Sequence, residues 1–425
     1  MAAVICSAFS AVLQLLSSWI QVHRCMSTRA QIIVALVAVG LLFSVGAATG
    51  YGIHWYLTQD RPTSEEVQRF SVLWEAWRII QSKFYGDIPA DPEPVYGAVH
   101  GMVDTLKDRY TVFVEPEPRS REKEELRGEF GGIGALVRRN DAGEVLLEPM
   151  ADSPAAQAGI HKGDILIRVD DMPITTTMRN DEVIALIRGE VGTQVQLTLK
   201  RAGVADPLRV TVTRQTIQTP SVAWRVLEQE PSIGYVKIDL FTERTNQELI
   251  GALQELRQAD VKSLILDVRN NGGGLLDATV DVASQFIDRG VVLYESRRQE
   301  AERSYEAKGG GLAVDLPMVV LVNGATASAS EILAGALQDH QRAVLIGQHT
   351  FGKGSVQLVY DLSDNSSLHV TVARWLTPKR RQIEGAGLTP DIEVPISDED
   401  KADGSDPQLE RAIAYLRERE LGKGS

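Results

Sequence analysis

The sequence predicts a multidomain α/β protein: an N-terminal membrane anchor, a helical segment, a small β-rich module and a larger α/β layer domain. Three observations predict it. Ile32 to Ile53 runs 22 residues without a charge. Residues 128–214 are glycine turns and short alternating strands, and from about residue 230 strands alternate with helices. At 425 residues the chain exceeds one compact domain, so two or three are expected. Hydrophobic residues at 44% and charged residues at 24% exclude a wholly disordered or collagen-like chain. A net charge of −13, with no basic stripe interleaved with aromatics, argues against binding nucleic acid. The two cysteines, Cys6 and Cys25, lie at the N-terminus, so the rest of the chain has no thiolate nucleophile and no cysteine-based zinc site.

The uncharged run is long enough to cross a bilayer at about 1.5 Å per residue. Arg24 and Arg29 before it place the long C-terminal part outside the cytoplasm by the positive-inside rule. Val45-Gly46-Ala47 offers the alternative of a cleaved signal, hence secretion. An uncleaved single-pass anchor is the preferred reading, because the apolar run continues past Ala47. Met26 opens a better signal-like start than Met1, so residues 1–25 stand as a candidate over-extension.

The expected organisation is an N-terminal segment (1–57), a helical region (58–127), a β-rich module (128–214), an α/β core (215–397) and a C-terminal helical tail (398–425). Val67, Phe70, Leu73, Trp74 and Trp77 recur at helical spacing within 62–107, and Glu93–Lys107 forms a second helix. This region reads as a packing or dimerisation arm. In the module, strands are expected at 145–147, 165–169 and 195–199, with a helix over Asn180–Arg188. In the core, strands at 235–241, 263–268, 318–322 and 343–346 alternate with helices at 246–258, 278–287 and 329–338. A strand pair follows at 356–360 and 368–375, and Gln408–Glu418 reads as a charged surface helix.

Four segments carry candidate chemistry. In Asn323-Gly324-Ala325-Thr326-Ala327-Ser328-Ala329-Ser330-Glu331 a strand ends and a helix begins. A serine there presents its hydroxyl at a helix N-terminus, where unpaired N–H groups stabilise a developing anion. The plain alternative is an N-cap serine. Among the histidines only His340 and His349 lie near Ser328 in sequence, and neither has an obvious carboxylate partner. Lys353, between Gly352 and Gly354, is the other candidate base; buried, its pKa would fall from about 10.4 towards about 7–8. As the alternative it is a surface turn lysine. Gln357, four residues on, is placed to orient it. Asp267-Val268-Arg269-Asn270-Asn271-Gly272-Gly273-Gly274 ends a buried strand with glycines whose N–H groups can face a ligand, or form only a tight turn. Phe130-Gly131-Gly132-Ile133-Gly134 is a carboxylate-binding turn beside a strand edge, or an ordinary hairpin turn.

Taken together, residues 65–397 resemble the carboxyl-terminal processing (tail-specific) serine peptidases, which set a PDZ domain ahead of a Ser/Lys core. The motifs agree in order: Asp108-Arg109-Tyr110-Thr111-Val112-Phe113, Phe130–Gly134, Ser153–Ile160 with Gly163-Asp164, Asp267–Gly274, Ala327–Glu331, Phe351–Gln357 and Gly387–Asp391. The resemblance implies a PDZ-like module and a crotonase-like α/β spiral. It also implies Ser328 as nucleophile, Lys353 as general base, Gln357 as the residue holding the lysine, and Gly273 and Ala329 as oxyanion donors. Asp339 matches an acidic position outside the chemistry. Two departures are Gly272, where a proline is frequent, which is expected to loosen the loop, and Arg380, where a glycine is common. The implied activity is extracytoplasmic endoproteolysis of proteins recruited by their C-terminal tails, with no metal or organic cofactor. Association of copies through the N- or C-terminal helices is a further expectation. The chief rival is a catalytically silent, membrane-anchored peptide-binding scaffold. A trypsin-like protease lacks its histidine set here, and a crotonase-type thioester enzyme has no use for the serine and lysine pair.

Overall fold

The computed structural model describes residues 36–37, 39–46, 49–50 and 64–422. The expected span at 32–53 lies only partly within them, and among the described residues no helix is long and apolar enough to cross a membrane. The chain divides into two compact units, 1–90 and 91–425.

In the first unit the expected helix is two pieces, Ser64–Arg69 and Ser71–Lys83. The second buries none of its side chains, and Leu73 and Trp74 remain 44% and 58% exposed. The second unit opens with the helix Glu93–Asp104, the short strand Val112–Val114 and a helix, Pro116–Arg127, that ends on left-handed Gly128.

The β-rich module is one antiparallel sheet in the order Ala135–Arg139, Val145–Pro149, Asp164–Val169, Gln194–Lys200, Leu208–Thr213. Its core joins Leu147, Leu166, Val183, Leu197 and Leu199. Alternation explains the strands: in Gln194–Lys200, Val195 and Leu197 are fully buried while Gln194 and Gln196 face solvent. The module closes later than residue 214, because Gln215–Gln218 pairs antiparallel with Glu129–Gly132.

The core is built on a six-stranded sheet ordered Val222–Leu227, Glu230–Ile238, Ser263–Asp267, Met318–Val322, Val344–Gly347, Ile392–Glu393. The first pair is antiparallel and the others are parallel. The two central strands are buried along their whole length, which is why they read as unbroken apolar runs. The helices Thr245–Gln258, Leu276–Ser284 and Ala329–Asp339 bury Leu249, Val280 and Leu333 in one cluster with Val320 and Phe241. The other face is covered by the C-terminal helix Pro407–Gly422, whose Ala412, Ile413 and Leu416 pack with Tyr235, Ile265 and Leu321. That helix is therefore not the surface tail expected from its charges: one stripe of it is core. A second sheet joins Val112–Val114, Ser355–Asp361, Val291–Arg297 and Arg303–Glu306 around the long strand Ser367–Leu376.

The C-terminal segment is tied to the strand end that precedes the glycine loop. Arg269 donates to both oxygens of buried Asp267 and to Asp406 at 2.8 Å, and Asp267 also accepts from Tyr235 Oη at 2.6 Å. Burial and Asp267 together push the Tyr235 hydroxyl above its ordinary pKa. Removing the guanidinium leaves a buried carboxylate without its counter-charge. Arg269→Ala is expected to lose about 3–5 kcal/mol of stability in urea denaturation; a loss under about 1 kcal/mol would contradict this reading of the network.

Candidate active site

Ligands in open α/β sheets sit beyond the carboxyl ends of the parallel strands, and two loops meet there, 268–275 and 323–328. The second is a built turn. Asn323 N–H donates to Thr326 Oγ1 at 2.9 Å, and Thr326 Oγ1 donates to Val268 O at 2.9 Å, bolting one loop to the other. Asn323 and Asn270 exchange bonds of 2.9 and 3.0 Å between side chains and backbone. Ser328 follows with φ +56° and ψ −118°, then the helix starts at Ala329. A non-glycine residue in that conformation is strained, and only over-determined surroundings keep it there. The turn lifts Ser328 out of the strand, as a nucleophile elbow does. Ala329, first in the helix, has an N–H with no intrahelical acceptor.

Asn271, which sequence reasoning gave no role, organises the facing loop. It is fully buried. Its carbonyl accepts from Ala327 N–H and Ser330 Oγ, both at 3.0 Å, on either side of Ser328. Its amide donates to Ile238 O at 2.9 Å, and its Oδ1 accepts Gly273 N–H at 2.9 Å. The expected oxyanion donor is thus already spent. Gly273 is buried against Ser328, where an added Cβ would come within 2.8 Å of Ser328 Cβ. The next residue, Gly274, lines the cavity instead. Its φ of +132° and a close pass of 2.2 Å between its would-be Cβ and Phe241 O make glycine obligatory. Of the two neighbours, Gly273 N–H is engaged by Asn271, and Gly274 borders the cavity. A Cβ at Gly272 would meet open space, and the N–H of the next residue, Gly273, is held by Asn271.

Lys353 sits where Phe351–Gly354 passes close both to the Ser328 helix, with Gly352 and Lys353 N–H donating to Glu331, and to the 384–387 turn. A Cβ on Gly354 would lie 2.3 Å from Glu384 N, and Gly354 N–H donates to Glu384 Oε2 at 2.9 Å. The Lys353 ammonium lies 5.2 Å from the centre of the Tyr110 ring. Tyr110 arrives there because Asp108 caps its own turn, accepting from Tyr110 N–H and Thr111 Oγ1, and because Val112–Val114 pairs with Ser367–His369. Burial pushes the Lys353 amine below the usual lysine range, opposed by the Glu384 and Glu122 carboxylates.

Ser328, Gly274, Lys353 and Gln357 line one cavity of about 470 Å³, whose apolar wall includes Leu275, Leu276, Val356, Tyr305 and Trp375. No hydrogen bond joins Ser328 to Lys353, although both face the same space. Gln357 does not hold the lysine: its amide donates to Ser355 Oγ at 2.8 Å and to Thr371 Oγ1 at 3.4 Å. His340 and His349 are bonded to backbone carbonyls elsewhere. His369, passed over in the sequence, lines the cavity with its Nε2 3.3 Å from Glu122 Oε2. Only the alternation of its strand marks it, since its partner Glu122 is far away in sequence. Asp339 pairs with Arg381 at 2.6 Å and accepts Lys379 N–H at 2.8 Å, a tie outside the cavity. Arg380 adopts φ +61°, which explains why a glycine suits that position.

In the module, Phe130, Gly131 and Gly132 are not a free turn but part of the Glu129–Gly132 strand, with the Arg188 guanidinium 3.8 Å over the Phe130 ring. Ile133 and Gly134 follow. Their carbonyls accept Ala155 N–H and Met150 N–H, whereas among the described residues their own N–H groups have no backbone acceptor. The strand Ala135–Arg139 leaves from them along the sheet edge, beside the helix Asn180–Ile187.

Comparison with known proteins bears on this arrangement. A family model described as Peptidase family S41 matches residues 232–394, a PDZ domain model matches 145–201, and one for the "Activating protease CtpB N-terminal domain" matches 46–118. The chain is 36% identical over 376 residues to the carboxy-terminal-processing protease of Bartonella bacilliformis, covering 86% of this chain and 85% of that one. It is 37% identical over 347 residues to the carboxyl-terminal-processing protease of Synechocystis sp., covering 80% and 81%. Among solved structures, the photosystem II D1 C-terminal processing protease is 34% identical, covering 75% of this chain and 86% of that one, with a TM-score of 0.44. The chain belongs to peptidase family S41, among the carboxyl-terminal-processing serine proteases that carry a PDZ domain.

Proposed function

We propose that this protease cleaves the tails of extracytoplasmic proteins by a Ser/Lys acyl-enzyme mechanism. The observation that carries it is the convergence of Ser328, strained at a helix N-terminus, and half-buried Lys353 on one apolar-walled cavity. Neutral Lys353 takes the Ser328 proton as Oγ attacks the scissile carbonyl carbon. The carbonyl π pair moves onto oxygen, which the Ala329 and Gly274 N–H groups receive. Collapse breaks the C–N bond, and Lys353 returns the proton to the leaving amine. Water then attacks the ester, Lys353 taking its proton, and Ser328 recovers a proton as the acid product leaves. The two side chains close onto each other when substrate fills the cavity, as catalytic hydrogen bonds often tighten only in the complex.

Substrate is recruited by its free C-terminal carboxylate at the Ile133 and Gly134 N–H groups, with the tail adding a strand along Ala135–Arg139. The N-terminal apolar run anchors or exports the chain, and exposed Leu73 and Trp74 suit association between copies. Tail recognition is tested with matched peptides ending in carboxylate or carboxamide. The amide is expected to raise KM by about tenfold or more through the lost charge-assisted bonds. Equal KM values would contradict it.

One observation favours a second reading of the base. His369 with Glu122 is a histidine–carboxylate pair in the same cavity. If it were the base, His369→Gln would abolish activity and Lys353→Ala would not.

A further inference from the structure

We infer that Glu331 is the positioning residue that locks the Ser328 turn and the Lys353 loop into one rigid piece. The inference rests on the Ser/Lys reading and adds to it a residue that touches neither substrate nor the reacting atoms.

Glu331 is the third residue of the Ser328 helix and is completely buried. One carboxylate oxygen, Oε2, accepts both Ser328 N–H and Lys353 N–H, each at 2.9 Å. The other, Oε1, accepts Thr350 Oγ1 at 2.5 Å and Gly352 N–H at 2.8 Å. Thr350 in turn accepts Leu388 N–H on its hydroxyl at 2.7 Å, so the turn beyond the lysine loop joins the same cluster. Among the described residues no lysine or arginine side chain pairs with Glu331; four neutral donors serve it instead. Only an acceptor at both oxygens meets them all.

An ordinary capping box would need the Ser328 N–H alone. The other three bonds go to a loop about twenty residues further along the chain, and they do nothing for the helix. What they fix is the separation of two backbones that each carry half of a proton-transfer pair. A displacement of about 1 Å in such a pair costs on the order of 10²-fold in rate. Glutamine has nearly the shape of glutamate but turns one acceptor oxygen into an NH₂ donor, which would face two donors on whichever side it lay. Buried and unmatched, that arm forces the turn and the loop apart.

The test uses the purified full-length chain and an internally quenched apolar peptide. Glu331→Gln is expected to lower kcat about 100-fold with KM within about threefold. The rate at which a fluorophosphonate probe labels Ser328 should fall in parallel, while peptide affinity measured by fluorescence anisotropy is unchanged. Thr350→Val, which removes one of the four donors, should lower kcat by about tenfold, and it decides the matter if Glu331→Gln does not fold. A wild type that is active beside a Glu331→Gln or Thr350→Val chain with kcat within threefold would overturn the inference. So would a loss in which peptide affinity falls as much as kcat, since that marks general disorder of the site. A fully active Ser328→Ala chain would instead refute the Ser/Lys reading, and this inference with it.

Discussion

Ser328→Ala is expected to lower kcat/KM for peptide hydrolysis by at least about 10⁴-fold, with the residual rate coming from binding and the oxyanion donors. The melting temperature should stay within about 3 °C, because alanine keeps the Cβ that packs on Gly273 and loses only an oxygen that faces the cavity. Intact-mass analysis after treatment with a serine-reactive probe gives an independent check: the wild type gains one adduct and the variant none. Retained hydrolysis in the variant would leave the catalytically silent role, or a different nucleophile, as the account of the cavity.

Lys353→Ala is expected to be nearly as damaging, about 10³-fold or more, with no recovery in Lys353→Arg, because a guanidinium stays protonated at any accessible pH. The pH dependence follows from the sign of the shift. Burial lowers the Lys353 pKa, and the catalytic form is the neutral amine. Rate should therefore climb as pH rises through that lowered pKa and level off above it, with the midpoint below about 10.4. The neighbouring Glu384 and Glu122 carboxylates oppose the shift. Glu122→Gln should therefore move the ascending limb to lower pH, by removing a charge that favours the ammonium. A limb that stays in place or moves upward would contradict this coupling.

Much of this architecture was legible because the signals were local. A buried apolar run, a turn of small residues and an immediate helix located Ser328, and two glycines marked a loop that must pass close to another backbone. What was not legible depended on distant partners. Gln357 follows the lysine at the expected spacing, but the strand register shifts between Val356 and Gln357, and the amide turns to Ser355 and Thr371. Three consecutive glycines could not reveal which N–H is free, because that is decided by the Asn271 side chain folding back on Gly273. Gln408–Glu418 was read by its charges, whereas Ala412, Ile413 and Leu416 form a narrow stripe that only the sheet's exposed face makes sense of. His369 and Glu122 lie 3.3 Å apart yet share no sequence neighbourhood.

The most direct test of the proton-transfer claim is to titrate the Lys353 side chain itself, by NMR of the full-length Ser328→Ala chain labelled at lysine and assigned with Lys353→Arg. The account predicts one lysine resonance that loses its charge clearly below the others. A Lys353 resonance that titrates with the bulk, near about 10.4, would contradict it.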